Sequence, residues 1–84
     1  MIKFTKHALD KFVVLRKHNF AVTKKQIIEI VLNPEKIDHS RLPLLIAQKK
    51  IDRQHVLRVV YKKESGDIKI ITFYPGRTKD YEKR

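Results

Sequence analysis

The sequence predicts an α+β fold: a short N-terminal strand, a two-helix hairpin, then a three-stranded antiparallel meander with the helices packed on one face. Three observations carry this prediction. Up to Leu32, apolar residues recur at helical spacing around the motif Thr23-Lys24-Lys25-Gln26. From Leu44 onward, runs rich in Ile, Val and Tyr are divided by the short polar turns Asp52-Arg53-Gln54 and Glu64-Ser65-Gly66. A chain of 84 residues that is 42% hydrophobic and 35% charged has material for one small core, so residues 1–84 read as a single folded domain rather than a disordered chain.

The elements follow in order. Ile2 and Phe4 alternate with Lys3 and Thr5, which suits a very short strand. Thr5 then serves as an N-cap, and Ala8, Leu9, Phe12, Val13 and Arg16 fall at helical spacing, predicting a helix from about Lys6 to Lys17 that His18-Asn19 ends. In the second helix the Thr23 hydroxyl and Gln26 amide form a capping box that satisfies backbone donors left over at the helix start. Ile27, Ile28, Ile30 and Val31 supply its buried face, and Asn33-Pro34 stops it, because the residue before proline is pushed out of the helical region. Pro34 to Leu42 is polar and reads as a loop. Leu44 to Ile51, His55 to Lys63 and Asp67 to Tyr74 read as the strands of the meander, with Pro75 and Gly76 ending the ladder.

A formal net charge of +11 on so small a body attracts polyanions and speeds encounter with them. Nucleic acid or a ribosome is the first partner this implies, and an acidic protein the second. Lysine enrichment for solubility alone is the competing explanation. There are no cysteines, which excludes a disulfide framework, thiolate metal sites and a thiol nucleophile. No apolar run approaches the ~20 residues needed to span a bilayer, and the charged start has no signal-peptide pattern, so a soluble cytoplasmic protein is expected. His7, His18, His39 and His55 show no metal-ligand spacing, and neither metal nor cofactor is expected. With only Gly66 and Gly76, there is no glycine-rich phosphate loop.

The chemistry-bearing residues concentrate in the last third. Arg58 shares a strand row with Val56 and Val60, so it either stands at the rim of a concave surface or pairs with an acid. Arg77 and Tyr81 follow the last strand, and adjacency predicts that Arg58, Arg77 and one of Lys49 and Lys50 converge on the open face of the sheet, with the tail turning back across it. Arg53, Lys62, Lys79, Lys83 and Arg84 are candidate RNA contacts, Lys62 and Lys63 having strand-edge protection as their alternative role. His7, at the start of the first helix, reads as a partly buried histidine. Metal-free RNA cleavage needs a deprotonated 2′-hydroxyl, a stabilised phosphate and a protonated leaving oxygen. Arg58 and Arg77 suit the second task, Tyr81 the first if neighbouring cations lower its pKa, and Lys49 or Lys50 the third or the orientation of phosphate.

Several motifs, taken with the element order, resemble the RelE/ParE superfamily of small basic toxins from toxin-antitoxin pairs. They are Lys3-Phe4-Thr5-Lys6-His7-Ala8, Asn33-Pro34-Glu35, Leu45-Ile46-Ala47-Gln48-Lys49-Lys50, Leu57-Arg58-Val59-Val60-Tyr61, and Ile71-Thr72-Phe73-Tyr74-Pro75 with Arg77 and Tyr81. The chain looks closest to a RelE-like group carried as a domain of unknown function, is similar also to BrnT-type toxins, and matches over essentially its whole length. The resemblance implies a RelE-like fold and a toxin held by an acidic cognate antitoxin, a monomer or weak dimer without it. It implies metal-independent endonucleolytic cleavage of messenger RNA, with the ribosome as a candidate setting, carried by Lys49 or Lys50, Arg58, Arg77 and Tyr81, and through the opening motif it leaves room for a catalytic role of His7. Through the gyrase-poisoning ParE members it also implies an alternative, a non-enzymatic basic binder of a protein target or of nucleic acid.

Overall fold

The computed structural model describes residues 1–81, and over them the chain is α+β, a five-stranded mixed sheet with three helices. In chain order the elements are β1 (Ile2–Phe4), α1 (Lys6–Lys17), α2 (Lys24–Leu32), β2 (Lys36–Asp38), β3 (Leu45–Lys50), β4 (His55–Glu64), β5 (Asp67–Arg77) and α3 (Thr78–Tyr81). The sheet runs β1-β5-β4-β3-β2, with β1 parallel to β5 and every other pair antiparallel.

The N-cap of α1 does two jobs. Thr5 Oγ1 accepts the Ala8 N–H at 3.1 Å and donates to the Ile71 carbonyl at 3.0 Å, which fixes the helix start to β5. The buried stripe is Ala8, Phe12 and Leu15, with Phe12 packed 4.7 Å from the Phe73 ring. Leu9 and Val13, predicted for that stripe, are instead 41% and 50% exposed, because the side of α1 toward β5 is only one residue wide per turn. The helix ends as predicted, with Asn19 in the left-handed region at φ 62°. In α2 the capping box forms as predicted, Thr23 Oγ1 accepting from Gln26 N at 3.1 Å and Gln26 Oε1 from Thr23 N at 2.9 Å. Ile27, Ile30 and Val31 are buried, while Ile28 is half-buried.

The two helices lie on one face of the sheet, but they do not form a closely packed hairpin. The main contacts of α1 are with β5 and β1, and those of α2 with β3 and β4. The core between helices and sheet is completed by Ala47, Leu57, Val59, Ile70 and Phe73, all fully buried.

Three features depart from the prediction. Lys36–Asp38, expected as loop, is an edge strand pairing Ile37 with Ala47. β5 does not stop before Pro75 but continues to Arg77. Thr78 N–H bonds to the Gln54 carbonyl at 2.8 Å, and alternation from that pair turns the Pro75 nitrogen away from β4. Since β1 covers only Ile68 to Ile70, that side of β5 is an open edge, where a missing N–H costs nothing. Finally, α3 adds a short helix after the last strand. No helix among the described residues is long and apolar enough to cross a membrane.

Candidate nucleic-acid interface

Alternation sorts the candidate residues by face. Gln48, Arg58 and Tyr74 form one row across β3, β4 and β5, on the side away from the helices, because their strand neighbours Ala47, Leu57, Val59 and Phe73 fill the core. Arg58 is only 8% exposed. One guanidinium nitrogen bonds to Asp38 Oδ2 at 2.8 Å and another donates to the Tyr74 hydroxyl at 3.0 Å, while the Tyr81 ring covers the group at 4.5 Å. Gln48, buried beside it, donates to the Tyr81 carbonyl at 3.4 Å. Of the two readings of Arg58, the acid partner is the observed one.

Asp38 is prepared for this pairing. Ser40, first of all, and then the Arg58 guanidinium hold its carboxyl down to about 2, so it remains a carboxylate. Tyr81 lies over Gly76, where a Cβ would overlap its ring. Arg58 and Tyr81 therefore come together, but as a covered cluster rather than an open site. A phosphate could reach the guanidinium only by displacing Asp38 and Tyr81.

Arg77 is not part of that cluster. It pairs with His55 at the end of β4, and the His55 ring packs edge-on to Phe20 at 5.9 Å, on the helix side of the sheet. The expected convergence of Arg58 and Arg77 thus fails, since the two sit at positions of opposite parity on a pleated sheet. Lys49 also points to the helix side, where it bonds Glu29 of α2 at 3.0 Å and holds that carboxyl below its usual range. Lys50 is exposed and shares the face of Arg58, opposite Val56. His7 is exposed in the first turn of α1, rather than partly buried. Thr5 ties that turn to Ile71, six residues or about 20 Å along β5 from Arg77. Lys62 pairs with Glu64 at 2.8 Å, at the opposite end of β4 from His55. Lys83 and Arg84 lie outside the described residues.

What Arg77 does join is a cleft of about 650 Å³ lined by Arg53, Gln54, His55, Arg77, Thr78 and Lys79. Arg53, Arg77 and Lys79 are exposed, so three cations front one concavity. The Asp52 side chain, outside the lining itself, fixes two of the residues that form it. Asp52 Oδ1 accepts the Gln54 and His55 N–H groups, each at 2.8 Å, and lies 3.0 Å from His55 Nδ1. These bonds, the Gln54 N–H foremost, hold the Asp52 carboxyl below its ordinary range. The Thr78 N–H bond to Gln54 clamps the start of α3 against the same turn.

The sequence reading missed His55 as a site residue. Its signal was present: an Asp three residues ahead of a His, across a hairpin turn too short to separate them. Among the described residues no group of three or more His, Asp or Glu side chains is placed to hold a metal ion. No protein-family model, curated protein or solved structure matches the chain.

Proposed function

We propose that this protein is the toxin component of a toxin-antitoxin pair, an endoribonuclease that acts on messenger RNA in the cytoplasm and grips it by the phosphate backbone. One observation carries the proposal: Arg53, Arg77 and Lys79 front a single cleft in a chain of net charge +11. Three cations at one concavity suit a polyanion better than a solubilising surface, which disperses its charge. The RelE-like reading of the fold is supported by two helices on one face of the consecutive antiparallel strands β3, β4 and β5. The same charge suits an acidic antitoxin laid across the cleft.

The non-enzymatic alternative draws on a different observation. Arg58 and Tyr81, two of the residues implied for catalysis, are engaged with each other, and Arg58 with Asp38 as well. A basic binder needs neither. Expression of the protein alone separates the readings: slowed growth with fragmented message supports the nuclease, slowed growth with intact message supports the binder, and normal growth with intact message removes both. Arg77→Ala is expected to relieve toxicity in either case.

A further inference from the structure

Three features of the cleft meet at His55. Its Nδ1 faces the Asp52 carboxylate at 3.0 and 3.2 Å, and a carboxylate only accepts, so Nδ1 carries a hydrogen and in the neutral ring the lone pair is on Nε2. Nε2 has no hydrogen-bond partner among the described residues, and Phe20 holds the ring edge-on at 5.9 Å. His55 lines the cleft with Arg53, Arg77 and Lys79, and its side chain is 39% exposed. An imidazole with one nitrogen fixed by a carboxylate and the other free is the arrangement that takes a proton from a hydroxyl.

We propose that His55, oriented by Asp52, is the general base of this cleft and that its substrate is single-stranded RNA cleaved at a 2′-hydroxyl. The assignment rests on the RNA-cleaving reading above. His55 Nε2 takes the 2′-hydroxyl proton, and the 2′ oxygen bonds to the adjacent phosphorus. The bond from phosphorus to the 5′ oxygen breaks, leaving a 2′,3′-cyclic phosphate. The departing 5′ oxygen takes a proton from the Lys79 ammonium, and His55 returns its proton to Lys79 through solvent, so protons balance and no redox partner is needed. Arg77 and Arg53 hold the charge that builds on the phosphate. Arg77 keeps the role predicted for it. The base, however, is the histidine that opens β4, next to the turn from β3, rather than Tyr81.

The test adds purified protein to a cell-free translation mixture, where free and ribosome-bound message are both present, and maps the RNA ends. Wild type is expected to yield 2′,3′-cyclic phosphate and 5′-hydroxyl ends, and a 2′-deoxy substitution at the cleaved step to block them. His55→Ala is expected to lose about 100-fold or more in rate, with RNA affinity within about twofold, and free imidazole to restore part of the rate. Asp52→Asn, which keeps an oxygen acceptor for the turn, is expected to cleave more slowly while melting at nearly the wild-type temperature. Cleavage by His55→Ala at the wild-type rate overturns the proposal and leaves the ribonuclease reading standing. Loss of cleavage and RNA affinity together, without imidazole rescue, also overturns it, because His55 then acts only as a wall of the binding cleft. No cleavage by wild type overturns the ribonuclease reading itself, and this inference with it.

Discussion

Arg58 brings a full charge into a face where its strand neighbours are Val56 and Val60, and its partners decide what it can do. Breaking a buried ion pair strands a desolvated charge, at about 3–5 kcal/mol, whereas replacing the charge with an apolar group of similar volume is often close to neutral. The Asp38 side chain is 31% exposed, so solvent screens part of that loss. Asp38→Ala is accordingly expected to destabilise by about 2 kcal/mol and Arg58→Met by less, measured by urea unfolding. The pair also predicts an acid response. The folded pKa of Asp38 is depressed from 3.8 to about 2, so its contribution is complete above the unfolded value and is lost as pH falls from about 4 through about 2. Asp38→Asn should flatten that part of the stability curve. It will not abolish acid sensitivity, since Glu29, Asp52, Glu64 and Asp67 also have lowered pKa values. Tyr81 contributes its ring face to Arg58, so Tyr81→Phe should retain both stability and RNA cleavage.

At the level of elements, α3 is the piece on which the covered cluster depends, and Gly76 is what admits it. A methyl at Gly76 would occupy the position of the Tyr81 ring, so Gly76→Ala must displace that ring from its place over the strand, or shift α3 or β5. Overpacking of this kind costs about 1–3 kcal/mol. Gly76→Ala is expected to lower the melting temperature and to speed amide exchange at Thr78, whose N–H bond to Gln54 holds α3 to the β3–β4 turn. Most elements were legible in the sequence because their signals are local: the Thr5 and Thr23 caps, the left-handed Asn19, and the two turns of the meander. What was not legible depended on pairing between distant segments. Lys36–Asp38 becomes a strand only because β3 offers it an edge, and Pro75 stays in β5 only because β1 ends at Phe4. A register shift opposite Val60 and Tyr61 lets Ile70 and Phe73, three residues apart, both enter the core, which no strict alternation predicts. The candidate site suffered most from this. Arg58 and Arg77 are both basic residues of neighbouring strands, but parity in the ladder separates them, and parity is fixed only once the true end of β5 is known.

The whole molecule carries its charge unevenly in function, even though basic residues occur along the entire chain. Lys49, Lys62 and Arg58 are tied to Glu29, Glu64 and Asp38, so their positive charge is largely offset on the spot. Among the described residues no ion pair ties Arg53, Arg77 or Lys79 to an acid, and Asp52 beside them is already engaged by His55 and two backbone N–H groups. Phosphate contacts release condensed counterions, so log affinity for a single strand falls with log salt at about 0.7 per phosphate neutralised. If these three cations each hold one phosphate, the slope for a short oligoribonucleotide is about −2. Arg77→Ala should reduce it by about 0.7 and weaken binding to all sequences alike, because a phosphate contact reads no base. Lys62→Ala, at the far end of β4, should leave the slope unchanged. Fluorescence anisotropy across a salt series measures all three. A flat salt response, or equal losses from Lys62→Ala and Arg77→Ala, would show that RNA is held by charge spread over the whole surface rather than by the cleft.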